Sequence, residues 1–121
     1  MRGLGELESA VMNVLWEAGE PVRVRDVLER LDTGKPLAYT TVMTVLDNLH
    51  RKGWTAREQH GKAYHYTPAS SREEASTRAL REVLGSSADP EAVLLHFVAS
   101  VSDEETELLR GALRKKRPHR R

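Results

Sequence analysis

Tyr39, Thr40, Thr41, Met43 and Thr44 crowd the start of a segment whose remaining residues are apolar at helical spacing. A solvated helix surface ordinarily carries Lys and Glu, and threonine and tyrosine are weaker helix formers, so helix stability did not select this set. Their chemistry is that of contact with a polar, grooved surface. Hydroxyls donate to or accept from phosphates and base edges, and threonine and methionine methyls pack against thymine methyls in a major groove, which implies a site rich in A·T. The face holds no early Arg, Asn or Gln able to grip a base with two hydrogen bonds, so discrimination would rest on weaker contacts and on DNA shape. Arg51 lies further along the same face, and Arg57, His60 and Lys62 follow within a few residues. Asp47 has two readings, acceptor for a cytosine amino group or plain solvated carboxylate. His50, Arg51 and Lys52 complement the dipole at a helix end, a role compatible with phosphate contact.

The elements that must position these groups follow from periodicity. Val42, Val45, Leu46 and Leu49 repeat at i, i+3, i+4, i+7 and predict a helix over 38–52 that ends before Gly53. At about 100° per residue, Thr40, Thr44, Asp47 and Arg51 then face away from the apolar stripe, with Met43 on the flank. Leu4, Leu7, Val11, Val14 and Leu15 predict an earlier helix over 4–17, stopped by Gly19 and Pro21. Val24, Val27, Leu28 and Leu31 predict a short second helix before the turn cluster Asp32-Thr33-Gly34-Lys35-Pro36. Trp54–His60 and Ala63–Thr67, separated by Gly61-Lys62 and closed by Pro68, read as a β-hairpin. Arg57, His60 and Lys62 then fall near the hairpin tip. Tyr64 and Tyr66 share a face packed on the helices, and His65 points the other way. The expected fold is mainly α with a small β-hairpin wing, a winged helix-turn-helix in residues 1–68.

Past Pro68 the pattern is helical throughout. Ser70-x-x-Glu73 and Ser102-x-x-Glu105 spell capping boxes, and Asp89-Pro90 spells a cap followed by a first-turn proline, predicting helices over 71–84, 90–100 and 103–115. These short amphipathic segments have too little chain to bury their stripes in a core of their own, so residues 69–115 read as a helical dimerisation region completed by a second copy. The competing arrangement is a monomer with a helical cap folded over its first helix. Residues 116–121 read as a disordered basic tail.

Composition narrows the function. Net charge is +1, but residues 34–67 hold five Lys and Arg against two Asp and Glu, with three histidines, whereas residues 1–33 hold four against seven. A basic zone therefore coincides with the helix and hairpin that carry the hydroxyl set, as a phosphate-facing surface requires. There are no cysteines, which excludes disulfides and thiolate metal sites. His50, His60, His65, His96 and His119 are scattered, and no nucleophile motif or Gly-rich phosphate loop occurs, so the chain reads as a non-enzyme with no cofactor and no metal site. His96, inside an apolar helix, is either an interface histidine or the ligand of a metal, haem or small molecule, the latter making the protein a sensor. A winged helix devoted to protein contacts is a further reading. No apolar stretch approaches the roughly 20 residues of a membrane span and no secretory h-region follows Met1, so a cytoplasmic location is expected.

Glu8-Ser9-Ala10-Val11-Met12-Asn13-Val14-Leu15-Trp16, Leu37-Ala38-Tyr39-Thr40-Thr41-Val42-Met43-Thr44-Val45-Leu46 and Leu49-His50-Arg51-Lys52-Gly53 resemble the BlaI/MecI family of penicillinase repressors. The resemblance implies a bacterial winged-helix homodimer that represses promoters by binding palindromes of the TACA/TGTA type. It places Thr40, Thr41, Met43 and Thr44 at DNA-contact positions of a recognition helix, and Leu80, Leu94, Phe97, Leu108 and Leu109 in the dimer region. In antibiotic-responsive members a membrane sensor triggers cleavage at an Asn-Phe bond, which implies a sensor or protease as a further partner. The matching pair here is His96-Phe97, a departure at the first residue. Copper-responsive relatives carry C-terminal cysteines that this chain lacks.

Overall fold

The computed structural model describes residues 3–117, in the order α1 (Glu6–Ala18), α2 (Val24–Arg30), α3 (Tyr39–Arg51), β1 (Thr55–His60), β2 (Ala63–Pro68), α4 (Arg72–Gly85), α5 (Pro90–Ser100) and α6 (Asp103–Lys115). Of the expected basic tail, residues 118–121, with His119, lie outside the described residues. The chain divides into two compact units, Met1–Ala79 and Leu80–Arg121.

In the first unit α1 and α2 start where an acidic side chain caps the preceding amide. The Glu8 carboxylate accepts the Gly5 amide at 3.0 Å, so α1 begins at Glu6 rather than at Leu4, and Gly19 ends it in the left-handed region at φ 68. Asp26 accepts the Arg23 amide at 2.9 Å and starts α2. The strands pair antiparallel from Thr55↔Pro68 to His60↔Ala63, leaving Gly61-Lys62 as a two-residue turn. Gly61 adopts φ 62 while Lys62 has negative φ, the sign pattern of a type II′ turn, where glycine is favoured.

Val11, Met12 and Leu15 of α1, Val27 of α2, and Val42, Leu46 and Leu49 of α3 are all buried, and Tyr66 of β2 closes the core from the wing side. Val22, just before α2, exchanges two hydrogen bonds with Tyr66, at 3.0 and 2.8 Å. This single bridge adds a third strand segment to the hairpin and has no periodic signature in sequence. The unit also takes in the first turns of α4, beyond residue 68. Ala75 is buried, the Trp16 indole donates to the Ser70 carbonyl at 3.0 Å, and Arg78 donates to the Ser70 hydroxyl at 2.8 Å. The expected box at Ser70 and Glu73 is accordingly shifted by one residue. Ser71 and Glu74 make the reciprocal bonds, at 3.0 and 3.1 Å, and the Glu74 pKa is lowered chiefly by the Ser71 amide.

In the second unit the start signals act as the sequence predicts. Asp89 accepts the Ala92 amide at 3.1 Å with Pro90 in the first turn of α5, and Ser102 and Glu105 form a full capping box at the start of α6. Neither α5 nor α6 contains a buried residue. Among the described residues no helix is long and apolar enough to cross a membrane.

Candidate nucleic-acid interface

The exposed face of α3 is the one that rotation away from the apolar stripe predicts. Thr40, Thr41 and Thr44 are exposed, Tyr39 and Met43 are 47% and 43% exposed, and Val42, Leu46 and Leu49 are buried beneath them. The Thr44 hydroxyl donates to the Thr40 carbonyl at 2.9 Å, which commits its hydrogen to its own helix. What Thr44 still offers an approaching molecule is an acceptor lone pair and a methyl group. Ala38, at the N-cap, supplies no capping side chain, and the first turn of α3 has no acidic residue, unlike the other five helices among the described residues. The Thr41 amide donates to the Ala38 carbonyl at 3.1 Å, which leaves the Tyr39 and Thr40 amides to face an external acceptor at the positive end of the helix dipole.

The wing separates three basic residues that the sequence groups at its tip. Lys62 is exposed in the turn itself. His60 lies on the outer face with Glu58 and His65, its Nε2 3.4 Å from the Glu58 carboxylate and its ring 4.7 Å from that of His65, centroid to centroid. Arg57 sits elsewhere: the register pairs it with Tyr66, three rungs below the turn rung, on the face toward the helices. Its Nη1 is 3.2 Å from Asp47 Oδ1 and its guanidinium carbon is 4.2 Å from the centre of the Tyr64 ring. The neighbouring Tyr66 hydroxyl does most to raise the Arg57 pKa, and Asp47 adds to the effect. Of the two tyrosines expected to pack on the helices, Tyr66 is 2% exposed but Tyr64 is 40% exposed.

Asp47 is thus not a free carboxylate, since Arg51 approaches its other oxygen at 3.5 Å and also donates to Asn48. Lys52 binds Glu8 of α1 at 2.8 Å and is structural, while His50 Nδ1 lies 3.2 Å from the Thr55 carbonyl at the entry to the wing. The Gly5 amide first and then Lys52 hold the Glu8 carboxyl below its ordinary pKa.

Two further cations complete the surface, and sequence reasoning missed both. Arg23 and Arg25, beside the start of α2, line an open groove with Tyr39 and Met43 of α3 and Lys62 and Tyr64 of the wing. Arg23 is partly neutralised by Asp26 at 3.3 Å, and that contact raises its pKa. Arg25 is exposed and makes no ion pair among the described residues. The available signal was the alternation Arg-Val-Arg next to Pro21, hidden in an acidic stretch.

In the second unit, Leu80, Leu94, Phe97, Leu108 and Leu109 are 63%, 50%, 54%, 74% and 38% exposed. His96 is exposed on α5, and no cluster of metal-ligating residues occurs among the described residues.

The sequence matches the penicillinase repressor family over residues 4–115. It is 41% identical over 113 residues to the transcriptional regulator BlaI of Mycobacterium tuberculosis, an alignment covering 91% of this chain and 82% of that protein. The chain belongs to the penicillinase repressor family. As a penicillinase repressor homologue it is a transcriptional regulator, DNA-binding by class, and not an enzyme. Solved structures agree on the fold. MepR, a transcription regulator of the Staphylococcus aureus multidrug efflux pump MepA, aligns with a TM-score of 0.51 at 16% identity, over 93% of this chain and 77% of its own. RosR of H. salinarum aligns with a TM-score of 0.54 at 19% identity, over 81% of this chain and 93% of its own. FabT of Streptococcus pneumoniae, solved in complex with DNA, aligns with a TM-score of 0.50 at 20% identity, over 93% of this chain and 72% of its own. The penicillinase repressor homologue thus shares the winged-helix architecture of these regulators.

Proposed function

We propose that this chain represses transcription by binding, as a homodimer, a palindromic operator of the TACA/TGTA type. The reading is carried by α3, whose exposed, uncharged first turns present hydroxyls and methyls beside an uncapped helix start. Placed in a major groove, Thr40, Thr41, Met43 and Thr44 read base edges and thymine methyls while Tyr39 and Arg51 flank them. Lys62 at the wing tip, His60, and Arg25 supply backbone contacts, and a relative of the same fold has been solved with DNA. In this reading residues 1–68 hold the DNA-binding machinery and residues 69–115 the dimerisation helices.

The dimer is supported by α5 and α6. Their large apolar side chains are exposed, and water contact at that many positions is unfavourable by about 1 kcal/mol for each half-exposed side chain that a partner would cover. A second copy supplies an equivalent surface, and two-fold pairing is the commonest closed assembly. Half-sites should lie about one helical turn, roughly 34 Å, apart or a multiple of it. Derepression would follow from breaking α5. Phe97 sits mid-helix and exposed, so a sensor-linked protease cutting at His96-Phe97 would divide the dimerisation surface.

Selection of genomic fragments by the purified protein, followed by motif extraction, tests the reading. An inverted repeat with TACA/TGTA-like arms is expected. Recovery of DNA without a common motif would reduce the protein to a general DNA binder, and no recovery at low salt would leave a winged helix used for protein contacts.

A further inference from the structure

Arg57 is held on three sides by groups that belong to the protein. Asp47 Oδ1 is 3.2 Å away, the Tyr64 ring lies 4.2 Å beneath the guanidinium, and Tyr66, its partner in register, stands beside it. Its side chain is 24% exposed against 68% for Arg51, which shares the same carboxylate. Asp47 is on α3 one turn past Met43, and Arg57 is on β1, so one carboxylate joins the DNA-facing helix to the wing. The concave angle between them is lined by Met43, Thr44, Asp47, Arg57, Tyr64 and Tyr66. A phosphate approaching Arg57 would compete with Asp47 for a guanidinium that is already stacked on Tyr64 and three-quarters covered.

We propose that Asp47 and Arg57 form a latch that sets the pitch of the wing against α3, making both positioning residues for DNA binding rather than DNA contacts. A recognition helix and a wing must meet one duplex at two places together, and fixing their relative angle before binding removes an ordering cost from association. The stacked, forked geometry is specific to arginine, because a lysine ammonium keeps the charge but neither the fork nor the ring stacking. An acidic residue on a DNA-facing surface is also explained: its charge is spent on two arginines, and its removal would loosen the wing.

The latch rests on the proposed operator reading and makes a prediction of opposite sign to simple electrostatics. Removing an acid near phosphates should tighten binding if Asp47 were merely a solvated carboxylate. The test measures the affinity of the full-length chain for a duplex with inverted TACA/TGTA arms, as a function of salt, with thermal unfolding checked in parallel. Asp47→Asn and Arg57→Lys should each weaken binding by about tenfold with the salt slope and unfolding midpoint unchanged, and Asp47→Glu should recover most of the loss. In a double-mutant cycle Asp47→Asn with Arg57→Lys should be no weaker than either alone. Tighter binding by Asp47→Asn, additive losses, or unaltered affinity in Arg57→Lys would overturn the latch. In the free protein, the Arg57 Nη1–H resonance should be protected from solvent exchange and lose that protection in Asp47→Asn. If wild type ignored the duplex, the operator reading and the positioning role would fall together, while that resonance would still report whether the contact forms.

Discussion

The three helices of the first unit and the last two helices of the second are built from the same kind of sequence, yet they end in opposite states. In α1, α2 and α3 the apolar stripes converge until Val11, Met12, Val27, Val42, Leu46 and Leu49 are fully covered. In α5, which is apolar around most of its circumference, and in α6, which carries a stripe, the starts are better capped but no large apolar residue is buried: Leu95, Leu108 and Leu113 remain 63%, 74% and 68% exposed. Caps and propensity fix where a helix begins and ends, but only a facing surface fixes what its stripe buries. The first unit contains its facing surfaces and the second does not, so stability in the first should be a property of one chain and in the second a property of two.

The largest effect that sharpens this contrast is expected in the closed core. Leu46→Ala should cost about 2–5 kcal/mol, independent of protein concentration, in urea unfolding followed by circular dichroism. Concentration dependence of that loss would mean that the first unit also relies on a second copy. Next comes the open surface. Phe97→Asp should weaken self-association by on the order of 100-fold in sedimentation equilibrium, roughly 3 kcal/mol, while leaving the helical signal of a dilute sample intact. An equal loss of helix at every concentration would place Phe97 in a core of its own chain.

A smaller effect concerns pH and confines itself to the first unit. The folded-state pKa of Glu8 is lowered, first by the Gly5 amide and then by Lys52, so its contribution is complete above the unfolded value of about 4.3 and is lost as pH falls through the lower folded value. Glu8→Gln should remove about 1 kcal/mol at neutral pH and flatten the stability profile across that acidic window, as seen in unfolding midpoints. Smallest of all is the difference between reader and backbone contact. Lys62→Ala should weaken binding to all sequences a few-fold and reduce the salt slope by about one, whereas Thr44→Ala should alter preference among sequences with the slope retained. A uniform loss from Thr44→Ala would move the reading face off Thr44.

Much of the fold was legible because its signals are local. Gly19, Gly53, Asp89-Pro90 and the Ser102-Glu105 box each mark a boundary that the structure places within two residues of expectation. The failures share a cause, contact between residues distant in sequence. Ser70-Ser71-Arg72-Glu73-Glu74 spells two overlapping capping boxes, and Ser70 is taken out of the first by the Trp16 indole on its carbonyl and Arg78 on its hydroxyl. The Val22 bridge to Tyr66 is one residue long and leaves no alternation to detect. On the candidate interface, the exposed face of α3 follows from the 100° rotation, but strand position alone puts Arg57 near the tip and says nothing of a partner on α3. Arg25 is not legible as part of the basic surface because its acidic neighbours in sequence do not line the groove that it shares with Tyr39, Met43 and Lys62.

Sedimentation equilibrium of the unmodified chain from nanomolar to high micromolar concentration tests most directly whether a second copy completes the open helices. A reversible transition to twice the chain mass, shifted to about 100-fold higher concentration by Phe97→Asp and retained by Thr44→Ala, is the predicted result. A single-chain mass throughout, with full helicity, would contradict it and require α5 and α6 to be covered without a partner.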